Sequence, residues 1–178
     1  AVLLLPAACA SVPPPAPTAA TAPAPGTIAH AAANLAGASG SLVSGRLQLE
    51  PMGGGVHIHG ELGGLAPNST HGFHIHETGD CSAADASSAG GHYNPAGTAH
   101  GRANNTPHHV GDIDNVVADG NGVAHVNAHV PGVVLGGDPA RDILGRALVV
   151  HAMPDDYRTQ PSGASGARVA CGVISPLP

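Results

Sequence analysis

The chain has 178 residues, 42% of them apolar, but only Phe73, Tyr93 and Tyr157 are aromatic, so a core must come from Val, Ile, Leu and Ala. Six arginines and no lysine stand against twelve acids, and the net charge of −6 makes nucleic acid and anionic membrane surfaces poor partners. Gly at 26 and Pro at 17, without long helical periodicity, exclude a helical protein, while thirteen histidines point to metal binding or pH sensing.

The first ten residues, "AVLLLPAACA", carry a short apolar run that ends in small residues and Cys9. That pattern resembles the end of a bacterial secretory signal at a lipidation cysteine. Leu5 stands one place too far upstream and Pro6 takes the position usually held by Leu, so a lipidated Cys9 and a plain signal remnant over 1–9 both stay open. Either reading implies export to the periplasm or cell envelope, and in the first a lipid on Cys9 acts as a membrane tether. Such a compartment is oxidising, and Cys81 can then pair with Cys171. Residues 10–26, "ASVPPPAPTAATAPAPG", cannot bury a core and read as a semi-rigid tether to a domain over 27–178. No later segment is apolar for long enough to span a membrane.

From Thr27 onward the chain reads as short strands and turns. In "GRLQLEP" the alternation turns Leu47 and Leu49 inward, and in "GVHIHGEL" it turns Val56 and Ile58 inward with His57 and His59 outward. "HGFHIH" is the next strand, after the turn-rich "GGLAPNST". A stretch without strand character follows from Thr78 to His109. "DGNG" at 119–122 is a strong turn signal before the alternating "VAHVNAHV". "ILGRALVVHA" and "ARVACGVI" are the last apolar runs, separated by the polar loop "MPDDYRTQPSGASG". Strands at this spacing suggest an antiparallel sandwich or barrel. A long structureless loop is tolerated in a compact domain when it is functional, and the two long loops hold most of the candidate chemistry.

His74 and His76 are two residues apart, so on a strand both imidazoles leave the same face and can chelate one ion. Alone, this H-x-H pair is a weak signal. His92, His100 and His109 follow at spacings of eight and nine, and Asp112 comes three later. Three imidazoles and one carboxylate form a tetrahedral set suited to zinc. His151 ends the run "RALVV" and puts another imidazole at a strand terminus. All-nitrogen ligation with an accessible position favours copper.

Together "GFHIHETGDC", "GGHYNP", "HVGDI", "GRALVVHA" and "ARVACGVI" resemble the Cu,Zn superoxide dismutase family, in the family's order and over roughly 28–175. The resemblance implies an all-β fold, an eight-stranded antiparallel Greek-key barrel with two long functional loops. It implies copper held by His74, His76, His92 and His151, and zinc by His92, His100, His109 and Asp112, with His92 bridging the two ions. The implied reaction turns superoxide into dioxygen and hydrogen peroxide by copper redox cycling, while zinc stays structural. Arg168 matches the active-site arginine, which would dock the anion beside copper. Asp155 matches the carboxylate joining a copper-ligand histidine to a zinc-ligand histidine, with its neighbour Asp156 as the alternative. His109 is favoured over His108 as a zinc ligand by "HVGD". A Cys81–Cys171 bond would pin the metal loop against the last strand. Expected partners are superoxide, a copper donor of undefined kind and, as a candidate, a second copy of the chain.

The remaining histidines have two readings. His71 is expected to pack under its strand as a hydrogen-bonded structural residue. His57, His59, His125 and His129 are either solvated surface positions or, since the family's topology sets their strands side by side, an auxiliary metal patch. A non-catalytic envelope metal-binding protein on the same fold is the competing function. A cupin would want a glutamate a few residues beyond the H-x-H pair, and a blue-copper carrier would need a cysteine ligand. Neither accounts for all five motifs.

Overall fold

The computed structural model describes residues 28–178; the 1–9 run with Cys9 and the 10–26 tether lie outside the described residues. Strands form at β1 (Ala31–Gly37), β2 (Ser44–Met52), β3 (Gly55–Gly63), β4 (Thr70–His76), β5 (Asp112–Val117), β6 (Ala124–Pro131), β7 (Ala147–His151) and β8 (Arg168–Pro176). The eight lie antiparallel in the order β5-β4-β7-β8-β1-β2-β3-β6. The two end strands, β5 and β6, lie against each other and nearly close a barrel. Because β6 pairs with β3 and β7 with β4, the chain crosses the barrel twice, as a Greek key does.

Local chemistry sets the register. Gly53 and Gly54 both have positive φ, 54° and 78°, and join Met52 to its cross-strand partner Gly55. A two-residue turn of this hand matches the twist of its strands. After β5, Asp119 Oδ1 accepts hydrogen bonds from the backbone N–H groups of Asn121 and Val123 and fixes the turn into β6. The inward positions expected from alternation, Leu47, Leu49, Val56 and Ile58, are buried with Phe73, Ile75, Leu148 and Ile174 in one core.

Two strands were not singled out by pattern. In β1, Ala31, Ala32 and Ala33 are all buried, so the start of the segment lacks period-two contrast, and small alanines blur the alternation that Asn34 and Leu35 begin. In β5, "DIDNVV" reads as polar because its first residue, Asp112, is buried for a chemical reason rather than an apolar one.

β4 is the element that matters for function. Every residue from His71 to His76 is buried. Phe73 and Ile75 join the barrel core, while His74 and His76 leave the other face, roofed by loops instead of water.

Candidate metal centre

The roof is the long loop between β4 and β5, which the chain ties down at both ends. Among the described residues its only regular piece is a 3-10 turn at Ser87–Ala89. His92 forms an isolated bridge to His76, and the backbone N–H groups of Glu77 and Tyr93 donate to Gly91 and Ile75. Farther back, Cys81 is joined to Cys171 of β8 by a disulfide with a Cα–Cα separation of 5.8 Å. The loop carrying His92, His100 and His109 is thereby stapled over the face of β4 and β7 that carries His74, His76 and His151.

His74, His76 and His151 each have one nitrogen committed to a hydrogen bond, and that commitment decides what the other nitrogen can do. His76 Nδ1 donates to the Gly90 carbonyl at 3.0 Å, and His151 Nδ1 donates to the Gly166 carbonyl at 3.2 Å. Both rings are neutral: burial holds the His151 pKa down to about 3 and the His76 pKa lower still. Their Nε2 atoms therefore both carry lone pairs, and they face each other at 3.3 Å. A cation shared by the two lone pairs would stabilise that approach. His74 donates through Nε2 to Asp155 Oδ2 at 2.7 Å, which leaves Nδ1 buried with no hydrogen-bond partner. Among the described residues, His92 Nε2 is the other buried, unpartnered nitrogen. Ligand atoms of His74, His76, His92 and His151 lie within 4.8 Å of one another.

The second cluster adjoins the first through His92. Its Nδ1 is 2.8 Å from Asp112 Oδ1, and the same oxygen is 3.0 Å from His100 Nδ1 and 3.3 Å from His109 Nδ1. Asp112 Oδ2 faces away and accepts the backbone N–H groups of Gly101 and His109. Three ring nitrogens thus surround one carboxylate oxygen at ligand distances suited to a small divalent ion. These backbone and imidazole donors hold the Asp112 carboxyl well below the ordinary carboxylate range, despite its burial.

Asp155 spans both clusters: Oδ2 accepts from His74 Nε2, and Oδ1 accepts from His100 Nε2 at 2.9 Å. Asp156, the alternative, instead caps its own turn through Arg158 and Thr159. His108 is half-buried and bonded to the Asn105 carbonyl, whereas His109 is buried beside Asp112. His71 is bound on both sides, by Ser69 Oγ and by the backbone carbonyl of His151. Arg168 donates to the carbonyls of Ala86 and Gly90 in the stapled loop. It lines a cavity of about 480 Å³ together with His76, His92 and His151.

Two positioning residues gave no signal in the sequence. Gln160 exchanges hydrogen bonds with the backbone of His100, tying the two long loops together. Asn115 does the same with the backbone of Asp155. The carbonyls that orient His76, His151 and Arg168 are equally invisible, since any residue supplies one.

Fold and site together define a class: an all-β protein whose loops enclose two adjoining clusters of imidazoles and one carboxylate able to hold metal ions. The sequence pattern of the family described as "Copper/zinc superoxide dismutase (SODC)" matches residues 43–174, and the chain belongs to that family. A Superoxide dismutase [Cu-Zn] 2 from Aquifex aeolicus is 41% identical over 135 residues, 74% of this chain and 79% of the relative. A Superoxide dismutase [Cu-Zn] from Caulobacter vibrioides is 47% identical over 125 residues, 67% of this chain and 71% of the relative. The solved structure of a double mutant of a SOD-like protein from Bacillus subtilis superimposes with a TM-score of 0.74 at 37% identity, covering 81% of this chain and 96% of that one.

Proposed function

We infer that the protein is a superoxide dismutase that works with copper and zinc, and that the two clusters divide those ions between them. Copper goes to His74, His76, His92 and His151, where every donor is a nitrogen. Zinc goes to His92, His100, His109 and Asp112, a closed set of three imidazoles and a carboxylate. The observation that carries the assignment is the pair of buried, unpartnered nitrogens, His74 Nδ1 and His92 Nε2. A buried polar atom without a partner costs about 1–3 kcal/mol, and a metal ion removes that cost.

Bound copper supplies a one-electron redox couple, and bound zinc a fixed positive charge. The rest is the work of the chain. Arg168, half-buried on the cavity wall and held by two carbonyls, offers a fixed guanidinium to a small anion. His92 presents Nε2 to one cluster and Nδ1 to the other, so Nε2 is the atom able to hold a proton and pass it to the reduced product. Two superoxide anions and two protons then give one dioxygen and one hydrogen peroxide. Asp155 keeps His74 and His100 in the tautomers that their sites need. A purely metal-storing protein would have no use for a cation aimed into the cavity, and Arg168 is the feature that favours turnover.

The Cys81–Cys171 disulfide suits an oxidising compartment and supports export to the periplasm or cell envelope. Anchoring through a lipid on Cys9, a tether over 10–26 and assembly as a homodimer complete the proposal. The test is metal analysis of the purified protein with a superoxide-decay assay before and after selective copper removal. One copper and one zinc per chain, with activity that leaves and returns with copper, are expected. Decay at the spontaneous rate with both ions bound would overturn the reading.

A further inference from the structure

The outer face of β2, β3 and β6 carries a second concentration of histidine that the paired centre does not use. Register sets Glu50 opposite His57 and His57 opposite His129, while His59 lies between Gln48 and Asn127. Four imidazoles therefore do share one face, but their contacts separate them. His125 pairs with Glu61 at 3.2 Å, and His129 donates to the Met52 carbonyl at 2.9 Å. His57 and His59 instead stack on each other, with ring centroids 5.1 Å apart and planes inclined by 19°.

Glu50 completes the group. Its Oε1 lies 2.8 Å from His59 Nε2. Glu50, His57 and His59 each bring one ligand atom to within 4.8 Å of the others, and all three are half-buried rather than free in solvent. His57 Nε2 is 2.8 Å from Asn127 Oδ1, an oxygen that only accepts, so Nε2 bears the hydrogen and Nδ1 keeps its lone pair. A side-chain carbonyl fixing the far nitrogen is the arrangement that orients an imidazole for a metal.

We propose that Glu50, His57 and His59 form a separate, open-sided site for a divalent transition ion, taking Cu²⁺ in preference to Zn²⁺. Two imidazoles and a carboxylate are the protein ligands of an open zinc site, with solvent in the remaining position. The same donors bind copper more tightly, by the general order for first-row ions. The site shares no residue with the paired clusters and does not depend on their assignment. Its ion is exchangeable, because the three ligands stand on a solvated sheet face instead of beneath a loop.

The experiment uses the full chain with its paired centre already loaded. Equilibrium dialysis against Cu²⁺ should add about one further equivalent per chain, and a mild chelator should strip it without loss of superoxide activity. The double variant His57→Asn/His59→Asn should lose the added equivalent and keep the rest of its metal. The variant His125→Asn/His129→Asn, on the same face, should keep all of it. Failure of the loaded wild type to take up copper would overturn the proposal. So would uptake that survives in His57→Asn/His59→Asn, or that falls equally in His125→Asn/His129→Asn, since the face would then bind diffusely.

Discussion

Asp155 shows how much one side chain decides. Its two oxygens accept from His74 Nε2 and His100 Nε2, so one carboxylate sets the tautomer of an imidazole in each cluster. Asp155→Asn can accept from one of them but meets the other with an amide N–H. Metal affinity should fall by about 10–100-fold, read by chelator competition, with the fold intact by circular dichroism. The same residues govern how the metal-stripped chain responds to pH. Burial lowers the pKa of His74 to about 4, against the opposing effect of its hydrogen bond to Asp155, and that of His151 to about 3. Unfolded, these rings protonate near 6.5; folded, they stay neutral, so stability drains away as pH falls below about 6.5. His100 runs the other way. Burial pushes it down, but Asp112 and Asp155 outweigh that and raise it to about 9, so its contribution is present below 6.5 and lost as pH rises through 9. The melting temperature of the metal-free protein should therefore peak near neutral pH and decline on both sides. A monotonic rise from pH 5 to pH 9 would contradict these shifts.

At the level of elements, the β4–β5 loop acts as part of the barrel because it is stapled. The Cys81–Cys171 bond closes a separation of 90 residues, and loop-closure entropy for that length corresponds to about 4–5 kcal/mol. Cys81→Ser should cost stability of that order in denaturant melts. It should also lower turnover more than metal content, because Arg168 takes its orientation from two carbonyls of the stapled loop. The second loop has its own pinch point. Gly163 has φ +68°, and a Cβ there would overlap Asp155 Oδ1 and His100 Nε2. Gly163→Ala should therefore reproduce much of the Asp155→Asn defect from a residue that ligates nothing, which zinc retention on dialysis would reveal. Much of this level was legible in the sequence. The alternating strands stand where period-two contrast put them, and "HGFHIH" does send His74 and His76 from one face. β1 was not legible, because its first three residues are buried alanines with no contrast to read. β5 was hidden because Asp112 is buried by the needs of the site. Motifs mark ligands well. They say little about Gln160, Asn115 or the backbone carbonyls that aim those ligands.

For the whole molecule the open issue is how a protein of net charge −6 captures an anion. Long-range attraction comes from clefts lined by one sign of charge, and such steering is worth about 10–1000-fold in rate where it operates. Here the arginines are mostly engaged elsewhere. Arg102 pairs with Asp114, Arg141 with Asp138, and Arg146 lies over the Tyr93 ring. Arg158, the other cation of the polar loop, lines a different cavity beside His100 and Tyr157. Arg168 alone among the arginines lines the cavity that opens on His76, His92 and His151, and Glu77 stands on the same wall. Capture is accordingly a short-range event against a mildly repulsive background. At 0.1 M salt the screening length is about 10 Å, so added salt weakens distant charges while leaving contact with Arg168 largely intact. The second-order rate should therefore change by less than about threefold between low and physiological ionic strength. Arg168→Gln should depress the rate by a similar factor at both. A steep, tenfold loss of wild-type rate on adding salt would mean that distant charges guide superoxide inward, and capture could no longer be assigned to a single guanidinium on the cavity wall.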